Sequence, residues 1–171
     1  HRRPYVYPED AYAMALVKLG SGSNLLGYYM YHGGTNPDGV LNTLEENQRT
    51  KATNYNDMPL KNYDFQAPLG AFGQTNPHYY LLRKLHLFMK DYGTLLSPME
   101  ATFPCAQDIA KGDDSHLRWS YRSRDNQAFV FVNNYERLQN LSDKKGIQFE
   151  VCGERFPQRP VTIPGGTMCI F

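Results

Sequence analysis

An α/β segment followed by an all-β module is the fold class that this sequence predicts, and three observations predict it. Up to about residue 100, two runs with helical spacing flank a short aromatic run and a long stretch without period. Beyond Pro98 the period shortens to two, and short apolar runs are separated by turn residues. A single candidate strand among helices cannot build a sheet of its own. Residues 1–100 therefore read as the end of an α/β domain, and residues 101–171 as a β-sandwich-like domain. Because the last apolar run reaches Phe171, its sheet is expected to be incomplete.

The first element is a helix from about Pro8 to Leu19. Pro8 suits the first helical position, Glu9 and Asp10 suit the positive end of the helix dipole, and Gly20 can close it. Tyr12, Ala15, Leu16 and Leu19 recur on one face. The run Leu25 to Tyr31 is short, apolar and bounded by glycines, which predicts a buried strand. From Gly33 to about Thr75 the sequence dissolves into Asn, Thr, Gly, Pro and Asp, and a loop of that length in a compact domain is usually functional. A second helix then starts with Asn76 as N-cap and Pro77 at its first position. Leu81, Leu85, Phe88 and Tyr92 form its apolar face, and Gly93 is expected to end it.

In the β-module, His116 to Ser123 alternates, with Leu117, Trp119 and Tyr121 on one side and Arg118, Ser120 and Arg122 on the other. Arg124 to Gln127 reads as a turn, and Ala128 to Val132 as a strand buried on both faces. Ile147 to Val151, Val161 to Ile163 and Met168 to Phe171 complete the set, with a turn at Pro164-Gly165-Gly166.

Composition excludes several function classes. The chain is 41% hydrophobic and 13% aromatic with a net charge of +1, a globular profile. Lys and Arg are scattered, so the electrostatic footprint expected of a nucleic-acid or anionic-membrane partner is missing, and no apolar run is long enough to span a bilayer. The three cysteines, Cys105, Cys152 and Cys169, lack zinc-site spacing and are expected to be buried thiols.

The stretch Tyr28-Tyr29-Met30-Tyr31-His32-Gly33-Gly34-Thr35-Asn36 carries the most chemical information. Aromatic rings open directly into a Gly-Gly turn, and Tyr29, Tyr31, His32 and Asn36 offer ring faces, hydroxyls and an amide. A sugar pocket wants this mixture of apolar faces and hydrogen-bonding groups. The segment Tyr29 to Asn36 closely resembles the YMFHGGTNFG motif of the family 35 glycoside hydrolases, which are retaining β-galactosidases. Asn62-Tyr63-Asp64-Phe65-Gln66-Ala67-Pro68-Leu69 resembles the family's SYDYDAPL segment, and the helix with Tyr80 and Arg83 follows as in its KYFALR stretch. Leu117 to Trp119 and Phe129 to Tyr135 resemble the domain after the catalytic barrel.

The resemblance implies the C-terminal part of a (β/α)₈ barrel, with Leu25 to Tyr31 as barrel strand eight, then a β-domain. It implies a secreted or periplasmic enzyme that acts on terminal β-linked galactose without metal or cofactor. A retaining glycosidase needs two carboxyl groups about 5 Å apart, and by the resemblance both catalytic Glu lie upstream of His1. Residues 1–171 alone are thus expected to contain no catalytic residue and to be inactive. Glu45, Glu46, Asp57 and Asp64 lie on the long loop, but no spacing marks any two as a pair.

What carries over is binding. Tyr29 matches the family's Tyr whose hydroxyl contacts galactose, while His32 and Asn36 are read equally as supports of the pocket wall or as purely structural residues. Phe65 stands where the family has a second sugar-contacting Tyr, Gln66 replaces an Asp, and Pro37 replaces a Phe. These departures loosen the implied galactose specificity. The expected partners are a β-galactoside and either a second copy of the chain or the rest of the barrel. An alternative reading is a non-catalytic carbohydrate-binding module, supported by the aromatic content of the β-module, including Trp119 and Tyr121.

Overall fold

A computed structural model describes residues 5–37, 62–104 and 109–171. Glu45, Glu46, Asp57 and Cys105 lie outside the described residues. Helix α1 spans Pro8–Gly20 and α2 spans Pro77–Leu96. Six strands follow: β1 Glu100–Thr102, β2 Arg118–Arg124, β3 Gln127–Asn133, β4 Lys144–Val151, β5 Glu154–Ile163 and β6 Met168–Ile170. The described residues are therefore mixed, with two helices and antiparallel sheets. Two compact units interleave along it. One comprises residues 5–9, 27–37 and 62–83, the other 10–26, 84–104 and 109–171. This differs from a single cut near residue 100, because the C-terminal parts of both helices pack with the sheets.

The expected strand at Leu25–Tyr31 is not formed. Residues 23–28 have no regular structure and Tyr29-Met30 is a turn. Strands exist only where backbone groups find a neighbour. Here the pairing amounts to one parallel bridge, His32 to Leu69, in which Leu69 N–H donates to Tyr31 O at 2.9 Å and Gly33 N–H to Leu69 O at 2.7 Å.

In the second unit, β1-β2-β3-β6 form one antiparallel sheet and β4-β5 a second. Between the two sheets lies a core of Val130, Val132, Phe149, Val151 and Ile163, with Leu117, Trp119 and Tyr121 packed against it. The alternation of β2 thus correctly divides its faces. The other face, written in polar residues, is buried more deeply. Ser120 and Arg122 are buried, and Phe131 of β3 joins them there. The strand β1, too short and polar to stand out in the sequence, closes the sheet edge beside β2. Cys152, expected to be buried, is exposed at the β4–β5 turn, and Cys169 is half-buried; both are free. A turn between two hairpin strands faces solvent whatever its residue types.

Gly20 is the last residue of α1, and a Cβ there would lie 2.7 Å from Ser120 Oγ and 2.8 Å from Phe131 Cβ. Its role is close approach to the sheet. The left-handed residue that ends α1 is Gly22, at φ 96°. Gly22 N–H donates to Leu19 O at 3.1 Å and Ser23 N–H to Lys18 O at 3.0 Å, the paired bonds of a Schellman cap. Helix α2 begins as expected, with the Asn76 carbonyl accepting Tyr79 N–H, but it runs through Gly93 to Leu96. Its apolar positions continue for another turn, and Leu96 is fully buried, so packing overrides the weak preference of one glycine. Phe88 meets Phe129 edge-on at 5.2 Å, which seats the C-terminal part of α2 on β3.

Arg122 is 1% exposed and has no carboxylate partner among the described residues. Its guanidinium donates instead to Leu19 O at the end of α1, Ser23 O, Asn24 Oδ1, and Ser97 O and Met99 O just after α2, at 2.8–3.4 Å. Burial lowers its pKa from the usual arginine value. The carbonyl ends of both helices carry partial negative charge, which suits a cation at this place.

Two stability predictions follow from these placements. Gly93 sits inside a helix with negative φ, and a Cβ there would meet only the flexible tip of Met89 at 3.4 Å. Gly93→Ala should stabilise the second unit by about 0.5–1 kcal/mol, seen as a higher denaturation midpoint; a lower midpoint would show that the helix is strained there. Arg122→Met leaves several buried carbonyls without a donor and should destabilise by about 3 kcal/mol or more. Arg122→Lys should recover less than half of that, because one ammonium cannot span the same acceptors. Full recovery by Lys would mean that charge alone matters.

Candidate functional site

In the first unit the two motif segments meet. Thr35 bridges Asn62 antiparallel, His32 bridges Leu69, and Tyr63 N–H donates to Gly34 O at 2.9 Å. Gly33 and Gly34 have no left-handed φ, so the expected reason for these glycines, a sharp turn, gives way to another, space. A Cβ on Gly33 would come within 2.8 Å of Asp64 Cα and 2.9 Å of Ala71 N, and one on Gly34 would overlap the Tyr63 ring.

The predicted site residues are placed as follows. Tyr29 is 91% exposed, and its ring centroid lies 6.3 Å from that of Phe65. Phe65 in turn lies 6.2 Å from Tyr63. Three rings from two segments therefore form one aromatic strip. His32 is exposed, and its Nδ1 lies against the Gly33 carbonyl. Asn36 is half-buried just beyond the Thr35–Asn62 bridge. Tyr28 and Tyr31 stand 5.6 Å apart behind the turn. Burial first, and the neighbouring Tyr31 second, raise the Tyr28 phenol; burial and then Tyr79 raise that of Tyr31. Both phenols stay protonated at neutral pH.

Phe65 and Gln66 both adopt left-handed backbone, at φ 54° and 59°. Such a conformation costs roughly 1 kcal/mol for a non-glycine residue and requires anchoring. Gln66 Oε1 supplies it by accepting Val6 N–H at 2.9 Å, while His78 Nε2 meets Val6 O at 2.9 Å. Gln66, which stands where the resembling motif has an Asp, is thus a backbone anchor.

Asp64 is the one carboxylate of the second motif, and its Oδ2 accepts from Gln74 Nε2 at 3.2 Å and faces Ala71 N–H at 3.5 Å. Its Oδ1 is buried without a donor among the described residues. Asp64 is therefore committed to holding its own loop. The described residues of this unit contain Glu9 and Asp64 as their carboxyl groups, and Glu9 begins α1. Among the described residues no cluster of His, Cys, Asp and Glu could hold a metal ion, and no helix is long and apolar enough to cross a membrane. In the second unit, Trp119 and Tyr121 pack against the sandwich core, so their faces are not a free platform.

Sequence reasoning missed Tyr63 and Leu69, which clamp the glycine turn. Their roles depend on a pairing between segments far apart in sequence, and no local pattern signals it. No protein-family model matches the chain.

The two glycines should respond differently to substitution. Gly33→Ala presses on backbone atoms, whereas Gly34→Ala presses on a ring that can swing aside. Gly33→Ala should speed hydrogen exchange of the Tyr63 and Leu69 amides about ten-fold or more, and Gly34→Ala by clearly less. Equal acceleration by both variants would contradict the packing described for the turn.

Proposed function

We propose that this chain forms one wall of the galactose-binding pocket of a retaining β-galactosidase similar to the family 35 glycoside hydrolases. On this reading it belongs to the C-terminal part of a (β/α)₈ barrel and to the β-domain that follows. The observation that supports it best is the pairing of the two resembling segments, which puts the exposed Tyr29 ring beside Phe65 and Tyr63. Rings offer apolar faces to a pyranose, and the Tyr29 hydroxyl can donate to or accept from a sugar hydroxyl.

The role assigned to these residues is binding and orientation. Tyr29 is the sugar contact, Phe65 is a face without a hydroxyl, and His32 and Asn36 support the wall. The carboxylate pair that protonates the leaving oxygen and attacks the anomeric carbon belongs, by the resemblance, to earlier barrel strands. Phe65 in place of Tyr removes one hydrogen bond to the sugar, which predicts weaker discrimination among hydroxyl patterns. A carbohydrate-binding module centred on Trp119 and Tyr121 would need both rings turned out of the core.

Purified residues 1–171 should not turn over 4-nitrophenyl β-galactoside. In a polypeptide with the complete barrel, Tyr29→Phe should lower kcat/KM about 10- to 100-fold, and Phe65→Tyr should raise the preference for galactosides over glucosides. Turnover by the 171-residue chain that Tyr29→Phe abolishes would overturn the division of roles. A complete polypeptide with no β-galactosidase activity would overturn the family reading.

A further inference from the structure

Residues of the β2–β3 turn and of the β4–β5 turn line a cleft of about 640 Å³, wholly within the second unit. Its apolar lining includes Val130, Val151, Phe156 and Phe171, and its polar lining includes Asp125 and Glu154. Val130 and Val151 are buried, so the floor is fixed by the sandwich core. A mostly apolar cleft of this size with a few polar groups is the usual form of a small-molecule site.

Strand register decides which side chains enter it, because cross-strand partners stand on the same side of a sheet. Val130, a core residue, exchanges both backbone hydrogen bonds with Phe171, at 2.8 and 2.9 Å, so Phe171 also faces inward. Val151 and Phe149, both of the core, are paired with Glu154 and Phe156. Glu154 and Phe156 therefore face inward too, and the Phe156 ring meets that of Phe171 edge-on at 5.8 Å. The two-residue turn Cys152-Gly153, at φ 52° and 84°, fixes this register. An apolar floor thus carries one inward carboxylate, that of Glu154. This side chain is exposed and has no hydrogen bond or ion pair among the described residues. Arg155 lies on the opposite face with its partner Glu150. At the rim, Asp125 has Arg124 Nε at 3.8 Å, and the described lining holds no Lys, Arg or His. Negative charge beside apolar surface complements an ammonium on an apolar body, and it repels a carboxylate.

We infer that this cleft binds a small organic amine, in its protonated form, with a ring-sized apolar body. The body lies on the floor of Val130 and Val151 against Phe156 and Phe171, and the ammonium donates to the solvent-accessible Glu154 carboxylate. The Phe rings suit such a cation, since an aromatic face attracts it. The site is separate from the aromatic strip and does not depend on the galactosidase reading.

Benzylamine and benzyl alcohol, titrated at neutral pH into the full 171-residue chain and followed by amide NMR shifts, test the inference. Benzylamine should bind saturably, shift the amides of Gln127 to Val130 and of Val151 to Phe156, and bind more tightly than the uncharged alcohol. Glu154→Gln should weaken benzylamine about three- to five-fold and leave the alcohol unchanged. Ala128→Trp, which fills the cleft and leaves Glu154 in place, should abolish binding of both. The comparison of amine with alcohol on the unsubstituted chain decides the charge preference even if a variant fails to fold. No saturable shift, shifts elsewhere, equal or tighter binding of the alcohol, or indifference of the folded Glu154→Gln chain would each overturn the site.

Discussion

A guanidinium without a carboxylate partner among the described residues governs the second unit. Arg122 is enclosed by protein, and its charge is solvated by the carbonyls of Leu19, Ser23, Ser97 and Met99 and the amide oxygen of Asn24. Moving an ion out of water is costly unless polar groups replace the lost hydration. Here those groups come from the ends of two helices and the segments after them. None of these segments can leave without exposing the others to an unmet hydrogen bond. The outer layer is held by this shared demand as well as by apolar contact.

One sheet therefore serves two different interiors. Its inner face contributes Val130 and Val132 to an apolar core against β4 and β5. Its outer face combines Phe131, Ser120 and Arg122, and Gly20 packs closely on it. Ser120 Oγ donates to Gly20 O at 3.0 Å, so the close approach is also a hydrogen bond. Asn134, buried where β3 ends, donates to Ser142, Ile163 and Pro164 carbonyls and ties the second sheet to the first. Polar side chains here fix position, while apolar ones supply most of the driving force.

The first unit uses its sequence differently. Its turn is glycine-rich because Tyr63, Asp64 and Ala71 crowd the backbone, and its aromatic strip is held by a strained pair, Phe65 and Gln66. Strain of this kind persists where surrounding contacts over-determine the conformation, as the Gln66 bond to Val6 does. The arrangement suits presentation of rings to a ligand. Among its described residues Asp64 is occupied with its own loop.

Both helices, the β2–β3 hairpin, part of β4 and the last residues of β5 could be read from the chain, because each is written in local period, turn residues and helix-start signals. Leu25–Tyr31 could not be classified that way: an apolar run becomes a strand only when neighbouring backbone pairs with it, and local pattern carries no information on the neighbour. Helix α2 runs past Gly93 for a related reason, since burial of Leu96 outweighs one glycine. Of the candidate site, Tyr29 and Phe65 were legible as residue types, but their adjacency was not. The sequence by itself determined where period and turns fall, and hence which faces are apolar. Only the tertiary structure decided that Arg122 is buried, that Gly20 and Gly33 are needed for space, and that Tyr63 and Leu69 clamp the turn. Each of those depends on contacts between residues distant in the chain, which hydrophobic period cannot encode.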